Sequence, residues 1–150
     1  MDIASVRIDR SHEATGVSVV IDVLRAFTTA AYAFDQGAED IVLAAKVDEA
    51  LALKQRFRGS LIMGEVATLA IPEFDFSNST AEIAEQNLAG RRLIHRTSNG
   101  TQGVHQSVNA AHLVATGFST ARATAAYILF AQAEFRDLHH HRRDRRQGWR

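Results

Sequence analysis

The sequence predicts an α/β protein in which helices cover both faces of a mostly parallel or mixed sheet, giving a three-layer α/β/α arrangement. Short runs of β-branched residues alternate along the chain with longer segments of helical period, which is the pattern of successive βα units. Parallel strands need crossover connections, and these helices would supply them. With 150 residues, of which 46% are hydrophobic, the chain is long enough for one domain with a substantial core.

The first half of the chain begins this alternation with two strands and two helices. The apolar run at 17–22 is the first predicted strand, and the helix over 26–35 that follows it is stopped by a glycine. A second strand covers 40–43. The apolar residues between 47 and 57 then recur on one helical stripe, which predicts a second helix.

The remaining elements continue the alternation. A third strand, "SLIMGE", covers 60–65 and is followed by an irregular stretch. Ser79 and Glu82 match a capping box, which predicts the start of a helix that runs to about Leu88. The later elements are a strand at 91–95, the loop "TSNGT" at 97–101, a short helix at 102–109, a strand at 111–116 and a helix at 120–133.

The composition excludes several classes of protein. The chain has no cysteine, so a disulfide framework and cysteine-based chemistry are excluded, and a reducing cytoplasm is the expected location. No stretch approaches the ~20 apolar residues that a membrane span needs. The first ten residues also lack the apolar segment of a signal peptide. We therefore expect a cytoplasmic protein with no membrane partner.

The zero net charge conceals two unlike parts of the chain. Residues 1–133 carry 14 acidic and 11 basic side chains, whereas 134–150 carry 3 acidic side chains and 6 arginines. We therefore expect a folded domain at 1–133 and a basic Arg/His-rich tail at 134–150, which we interpret as disordered. Its abrupt composition would also fit a truncated or frameshifted end. Because the domain is net acidic and lacks interleaved aromatic and basic residues, nucleic acid is not favoured as a partner.

Polar residues gather after the predicted strands, and α/β proteins bind ligands beyond the carboxyl ends of parallel strands. Three carboxylates, those of Asp22, Glu65 and Asp75, offer the oxygen ligands that Mg²⁺ prefers. Arg25 could pair with a phosphate or a carboxylate. The Thr97–Thr101 loop offers hydroxyls and backbone amides to an anion. Together these residues predict a site for a phosphate ester.

Each of these features also has a purely structural interpretation. Asp22 could cap the following helix and form an ion pair with Arg25, and Glu65 could be an ordinary turn residue. The loop "TSNGT" contains Asn-Gly, which is a common turn pair. His95 ends a strand, and such a histidine is more often part of the core than a ligand. It is the convergence of polar residues at the strand ends that favours a functional site.

Five stretches of the chain, taken in order, resemble the motifs of a known family. They are "VVIDVLRAFTT", "MGEV", "IPEFDFSNST", "GRRLIHRTSNGT" and "HLVATGFSTARATA". They are similar to motifs of the 2-phosphosulfolactate phosphatase family, often called ComB, and the similarity spans about residues 17–131. The resemblance implies a Mg²⁺-dependent phosphatase linked to coenzyme M biosynthesis. Such an enzyme would release sulfolactate and phosphate from the phosphate ester of a hydroxy acid.

The resemblance also marks the positions of the site. The matching residues are Asp22, Arg25, Thr28, Thr29, Gly64, Glu65, Asp75, Asn78, Ser79, Thr97, Ser98, Asn99, Gly100 and Thr101. From their chemistry we hypothesise that Asp22, Glu65 and Asp75 hold Mg²⁺, which would activate a water. The expected catalytic residues are Asp22, Arg25 and Asn99. The expected substrate contacts, which would also stabilise charge in the transition state, are Arg25, Thr28, Asn78, Ser79 and the Thr97–Thr101 loop.

The sequence departs from the family pattern at several positions. Ser77 and Glu73 stand where the family favours Gly, Thr80 stands where it has Pro, and Thr120 stands where relatives often carry Asn. Family members also continue beyond this length with further α/β structure. Two alternatives therefore stand beside the enzyme: an anion-binding remnant without turnover and a nucleic-acid-binding protein that uses the tail. Exposed sheet edges would favour a homo-oligomer.

Overall fold

The computed structural model describes residues 3–131, and it begins with a 3₁₀ helix over Ile8–Glu13. The strands in this range are β1 (Gly16–Ile21), β2 (Asp40–Leu43), β3 (Leu61–Gly64), β4 (Phe76–Ser77), β5 (Arg92–Arg96) and β6 (Ala110–Thr116). The helices are α1 (Ala26–Asp35), α2 (Val47–Arg56), α3 (Thr80–Ala84), α4 (Gly100–Gln106) and α5 (121–131). None of these helices is long and apolar enough to cross a membrane.

Neighbouring strands in the described range pair in parallel throughout, which confirms the predicted α/β class. The strands form two sheets: β1 pairs with β6, and the other sheet has the order β2-β5-β3-β4. The register places Ile21 opposite Thr116 in the first sheet and Ile62 opposite Ile94 in the second. The helices that separate these strands in the sequence provide the crossovers that parallel pairing needs.

Helices cover both faces of the four-stranded sheet and so produce the three predicted layers. One face carries Met63 and Leu93 and packs against α1 and α3. The other face carries Ile62 and Ile94 and packs against α2. Because successive side chains of a strand point to opposite faces, the continuous apolar runs of β3 and β5 fit a sheet that is buried on both sides.

Three predicted helices have different bounds in the structure. The helix expected to reach about Leu88 ends at Ala84, because the Leu88 amide donates to the Gln36 carbonyl and the Leu88 side chain turns into the core. The helix expected at 102–109 covers Gly100–Gln106 instead. Of the helix expected at 120–133, residues 121–131 are helical. Its last two residues and the predicted tail at 134–150 lie outside the described residues.

The predicted capping box at the start of α3 forms in a different way. Ser79 Oγ accepts the Glu82 amide at 3.4 Å, as expected. The Glu82 carboxylate reaches back to Ser77 rather than to Ser79, and accepts the Ser77 amide at 3.0 Å and hydroxyl at 2.6 Å. Because these bonds join the last residue of β4 to α3, they limit the conformation of the short connection that carries Asn78.

Candidate active site

Three loops meet at the carboxyl ends of the strands. They follow β1, β3 and β5 and carry Asp22, Glu65 and the segment Thr97–Thr101, which we call the 97–101 loop. Parallel pairing of β3 with β5 places Glu65 beside this loop. A contact between Asp22 and Gly100 brings the end of β1 to it as well. The structure therefore gathers these residues at one edge of the molecule, where α/β proteins bind ligands.

The 97–101 loop is braced by the two threonines at its ends. The Thr97 amide donates to Thr101 Oγ1 at 2.9 Å, and the Thr101 amide donates to Thr97 Oγ1 at 3.1 Å. Thr101 Oγ1 donates in turn to the Thr97 carbonyl at 2.9 Å. Both side chains are buried. The loop is therefore shaped by its own hydrogen bonds, with residues 98–100 between the two braces.

Glu65 attaches the 97–101 loop to the end of β3. Its side chain is buried, with 7% of its surface exposed. Oε1 accepts the Ser98 amide at 2.6 Å, and Oε2 accepts the Thr68 amide at 2.5 Å and the Ser98 hydroxyl at 3.3 Å. A buried carboxylate needs such donors because an unpaired charge in the interior is costly. Both oxygens of Glu65 are therefore committed to the fold of the loop.

Glu65→Gln is expected to lower the free energy of unfolding by about 1–3 kcal/mol, because an amide donor would replace an oxygen that accepts hydrogen bonds. Urea unfolding in the presence of EDTA measures this change without a bound divalent metal. Glu73→Gln alters an exposed residue in the same way and, as the control, should change stability by less than about 0.5 kcal/mol. Equal stability of the two variants would show that the fold does not depend on the Glu65 carboxylate.

Asp22 lies between the start of α1 and the 97–101 loop. Its Oδ1 accepts the Ala26 amide at 3.2 Å, which is the capping contact that the sequence allowed. Its Oδ2 has no hydrogen-bond donor within residues 3–131 and lies beside Gly100, where a Cβ would come within 2.8 Å of this oxygen. One carboxylate oxygen of Asp22 therefore supports the helix, and the other faces the loop and is available to a ligand.

Arg25 and Asn99 have exposed side chains without hydrogen-bond partners in the described part of the chain. Each residue directly precedes a helix, α1 in one case and α4 in the other. The two helix starts touch, since a Cβ at Gly100 would lie 2.7 Å from Ala26 Cβ. The ion pair between Asp22 and Arg25 is not among the salt bridges of residues 3–131. Asp22 Oδ2 beside the loop, the Asn99 amide within it and the guanidinium of Arg25, which precedes the adjoining helix, thus have no partner among the described residues.

Other predicted substrate contacts are already engaged within the protein. Thr28 Oγ1 donates to the Val23 carbonyl at 2.7 Å. Ser79 Oγ accepts the hydrogen bond that caps α3. Asn78 Oδ1 lies 3.3 Å from His95 Nε2. These three side chains hold the surrounding loops in place, and their contact with a substrate stays a prediction.

Asp75 is bonded to the sheet and to α2. Its Oδ2 accepts the Ile62 amide at 2.7 Å and lies 2.6 Å from Lys54 Nζ. Its amide donates to the Ile62 carbonyl at 3.0 Å. Because Ile62 lies two residues before the end of β3, Asp75 is set back from the edge at which Glu65 meets the 97–101 loop.

A metal site shared by the three carboxylates would need their side chains to converge. Within residues 3–131, no group of three or more His, Cys, Asp or Glu side chains is arranged to hold a metal ion. The predicted Mg²⁺ site with Asp22, Glu65 and Asp75 as joint ligands is thus not assembled by the described residues. Of the three, Asp22 is the residue with an oxygen that lies at the 97–101 loop and is free of protein donors.

His95 is fully buried at the end of β5, which agrees with its interpretation as a core histidine. Its Nδ1 has no hydrogen-bond partner among the described residues, whereas its Nε2 faces Asn78 Oδ1. Burial lowers the pKa of His95 to about 4, because the charged ring would lose its hydration. The ring is therefore neutral at pH 7, and a proton on Nε2 is the one that Asn78 Oδ1 can accept.

Protein stability is expected to fall by roughly 2 kcal/mol between pH 7 and pH 5 because of His95. The unfolded chain binds a proton at this residue with the ordinary pKa of 6.5, whereas the folded chain binds it only near 4, so acid favours the unfolded state. Urea unfolding at the two pH values measures the loss. His95→Gln retains a donor for Asn78 and should remove most of the loss. An unchanged pH dependence in this variant would contradict the assignment.

Sequence reasoning missed Arg96, which joins three strand ends at the candidate site. Its Nη1 donates to the Glu65 carbonyl at 2.6 Å, and its Nε donates to the Ala45 carbonyl at 3.4 Å. Its own carbonyl accepts the Glu65 amide at 3.0 Å. The available signal was a charged residue at the end of an apolar strand, directly before the loop. Arg96 links the ends of β2, β3 and β5 and thereby positions Glu65.

The chain is similar to a described family of proteins over most of its length. A family model with the description 2-phosphosulpholactate phosphatase matches residues 4–137. This range contains all the residues of the candidate site.

Two curated relatives have the name "Probable 2-phosphosulfolactate phosphatase". The protein from Bacillus subtilis (strain 168) is 43% identical over 112 residues, which cover 75% of this chain and 49% of the relative. The protein from Deinococcus radiodurans is 39% identical over 119 residues, which cover 79% of this chain and 50% of the relative. The chain thus spans about half the length of these relatives.

Proposed function

Because the chain belongs to the 2-phosphosulpholactate phosphatase family, we propose that it hydrolyses a phosphate monoester of a small hydroxy acid to the hydroxy acid and phosphate. The proposed substrate resembles 2-phosphosulfolactate. The observation that carries this proposal is the set of free polar groups around the braced 97–101 loop. These are Asp22 Oδ2, the Arg25 guanidinium and the Asn99 side-chain amide.

The 97–101 loop and Arg25 would bind the anionic groups of such a substrate. The amides of Thr97, Ser98 and Thr101 already donate hydrogen bonds within the protein. Those of Asn99 and Gly100 have no acceptor among the described residues and could donate to phosphate oxygens. Arg25 could form paired hydrogen bonds to the phosphate or to the second acidic group of the substrate. Because the loop is braced beforehand, its donors would need little reorganisation as charge develops in the transition state.

We propose Mg²⁺ as the cofactor and Asp22 as its carboxylate ligand in the described part of the chain. Mg²⁺ in phosphate sites commonly takes one or two carboxylates together with substrate phosphate and water. A single free oxygen at the loop fits that coordination better than the three-carboxylate set. When bound, the ion would offset phosphate charge and lower the pKa of a bound water. Glu65 would then act as a positioning residue that holds Ser98 and with it the loop.

Phosphate release from a panel of phosphorylated hydroxy acids tests this proposal. The wild-type protein should release phosphate in the presence of Mg²⁺, and EDTA should suppress the reaction. The panel should pair esters that carry a second acidic group with esters that lack it, since Arg25 is expected to favour the former. Folded protein that releases no phosphate from any ester above the buffer rate would contradict the proposed activity.

An anion-binding protein without turnover is the second candidate function. The braced loop has two free amides that can bind an anion. Among the three predicted metal ligands, by contrast, Asp22 alone has a free oxygen at the loop within the described residues. This combination supports anion binding without metal-dependent turnover as the second candidate. Isothermal titration with inorganic phosphate, run beside the hydrolysis assay, distinguishes the two. Saturable binding without hydrolysis would assign the second function, whereas turnover would exclude it.

A further inference from the structure

A second group of basic residues lies at the opposite end of the four-stranded sheet. Segments at the amino ends of β2, β3 and β5 surround a cleft of about 330 Å³. Arg58, Ser60, Arg91 and Arg92 line this cleft, together with the acidic Glu39. With about 3.3 Å per residue along a strand, β5 separates the cleft from the carboxyl ends by roughly 15 Å. The cleft is therefore distinct from the candidate active site.

Arg92 forms a fixed wall of the cleft. Its Nε and Nη2 donate to the two Asp40 oxygens at 2.7 and 2.5 Å. These bonds raise the pKa of Arg92 and lower the pKa of Asp40, so both groups stay charged and offset one another. The Arg92 guanidinium also lies 4.5 Å from the centre of the Phe57 ring, and that of Arg56 lies 5.6 Å from it. Because two guanidinium groups cover this ring, it is not free to stack on a nucleobase.

Two further arginines retain the capacity to bind an anion. Arg58 is exposed and has no hydrogen-bond or ion-pair partner in the described range. Arg91 Nη2 donates to the Gly59 carbonyl at 2.7 Å, which holds this guanidinium at the cleft while its other N–H groups remain unused. A guanidinium has five N–H donors. Set against Glu39, the two arginines give the cleft an excess of positive charge.

Ser60 provides an independent indication of a ligand. The residue is 5% exposed, and its hydroxyl has no hydrogen-bond partner among the described residues. Its amide donates to the Phe57 carbonyl at 3.0 Å, so the backbone of this turn is fixed, and the residue lines the cleft while its hydroxyl oxygen is itself buried. Buried hydroxyls in native proteins nearly always have a partner. Rotation of the Ser60 side chain toward the cleft would let an acceptor atom of a bound ligand supply the missing partner.

We propose that this cleft is a second binding site, specific for a small oxyanion such as phosphate. Arg58 and Arg91 would form charge-assisted hydrogen bonds to the oxyanion, and the Ser60 hydroxyl would be a further donor. The covered Phe57 ring and the size of the cleft favour a small anion over a nucleotide. This proposal does not depend on the activity of the distant 97–101 loop.

Titration with inorganic phosphate, followed by the amide NMR signals of individual residues, tests the second site. The signals of Gly59, Ser60 and Gly90 report on the cleft, and those of Ser98 and Gly100 report separately on the 97–101 loop. We expect saturable shifts in the cleft at constant ionic strength. Arg58→Gln should weaken this binding about tenfold, and Ser60→Ala should weaken it as well. The titration of the 97–101 loop should not change in either variant.

Arg7→Gln is the matched control, because it removes the same charge from an exposed arginine outside the cleft. Arg7 Nε forms a surface ion pair with Asp9 Oδ1 at 3.4 Å. The control should leave phosphate affinity at the cleft unchanged. Shifts in the cleft that fail to saturate would overturn the proposal. Equal affinities in the wild type, Arg58→Gln and Arg7→Gln would overturn it too, since they would show general attraction to a basic surface. Loss of binding at the 97–101 loop alone would bear on the proposed phosphatase function and would leave the second site supported.

Discussion

Asp22→Asn is expected to lower the kcat/KM for phosphate release by roughly 10²–10⁴-fold, because the charge stabilisation that a bound Mg²⁺ would supply in the transition state is worth several kcal/mol. The fold should be retained, because Asn caps a helix as well as Asp does and can still accept the Ala26 amide through Oδ1. What the substitution removes is the negative charge on the oxygen beside Gly100. The free energy of unfolding should therefore stay within about 1 kcal/mol of the wild-type value.

Steady-state kinetics and urea unfolding of the same preparation separate these two effects. Asp9→Asn is the control, since Asp9 is an exposed carboxylate with a surface ion pair to Arg7, and its activity should match the wild type. Gly100→Ala is a second way to disturb Asp22 without removing a polar group, because the new Cβ would lie 2.8 Å from Oδ2. A folded Asp22→Asn variant with near-normal kcat/KM would remove Asp22 from the mechanism.

Gly64→Ala is expected to destabilise the protein by more than about 4 kcal/mol, which approaches the whole stability of a small domain. Gly64 has a φ of 149°, and a Cβ at this position would lie 1.9 Å from the Arg96 carbonyl oxygen. That oxygen accepts the Glu65 amide at 3.0 Å. The clash can be relieved only if β3 and β5 separate at the pair Gly64–Arg96, and this would also release the 97–101 loop.

Urea unfolding of Gly64→Ala and of a control glycine variant tests this expectation. Gly16 also has a positive φ, 70°, but no atom lies within 4 Å of a Cβ built there. Gly16→Ala should therefore cost only about 1 kcal/mol, the usual penalty of a left-handed backbone for alanine. If Gly64→Ala were no less stable than Gly16→Ala, the close approach of the two strands would not be a constraint on the fold.

The class of the fold could be predicted because strand and helix periods alternate so regularly in this sequence. The pairing of strands could not, since β1 and β6 contain ordinary apolar runs that carry no sign of their separate sheet. The ends of helices also could not be predicted where a residue distant in the sequence determines them. The end of α3 depends on a bond from Leu88 to Gln36, and nothing near Leu88 in the sequence indicates it.

Much of the candidate site could be located from the sequence, because residues that directly follow parallel strands meet at one edge. Whether each carboxylate already accepts hydrogen bonds within the protein could not be predicted, since this depends on donors from elsewhere in the chain. Glu65 Oε1 accepts the Ser98 amide, and Asp75 Oδ2 accepts a hydrogen bond from Lys54 Nζ. The residue type shows that a carboxylate can bind a metal ion. Only the surrounding donors show whether its oxygens are already in use.

The pairing of β1 with β6 has a consequence for the order in which the protein is made. Ile21 lies opposite Thr116, and a ribosome adds roughly 5–20 residues per second, so β1 waits several seconds for its partner. During that time its apolar edge is open to other nascent chains. The strands of the four-stranded sheet are all synthesised within this interval and can assemble first. Asp22, which follows β1, is therefore expected to reach the 97–101 loop only after β6 has been made, so that the site assembles later than the four-stranded sheet beside it.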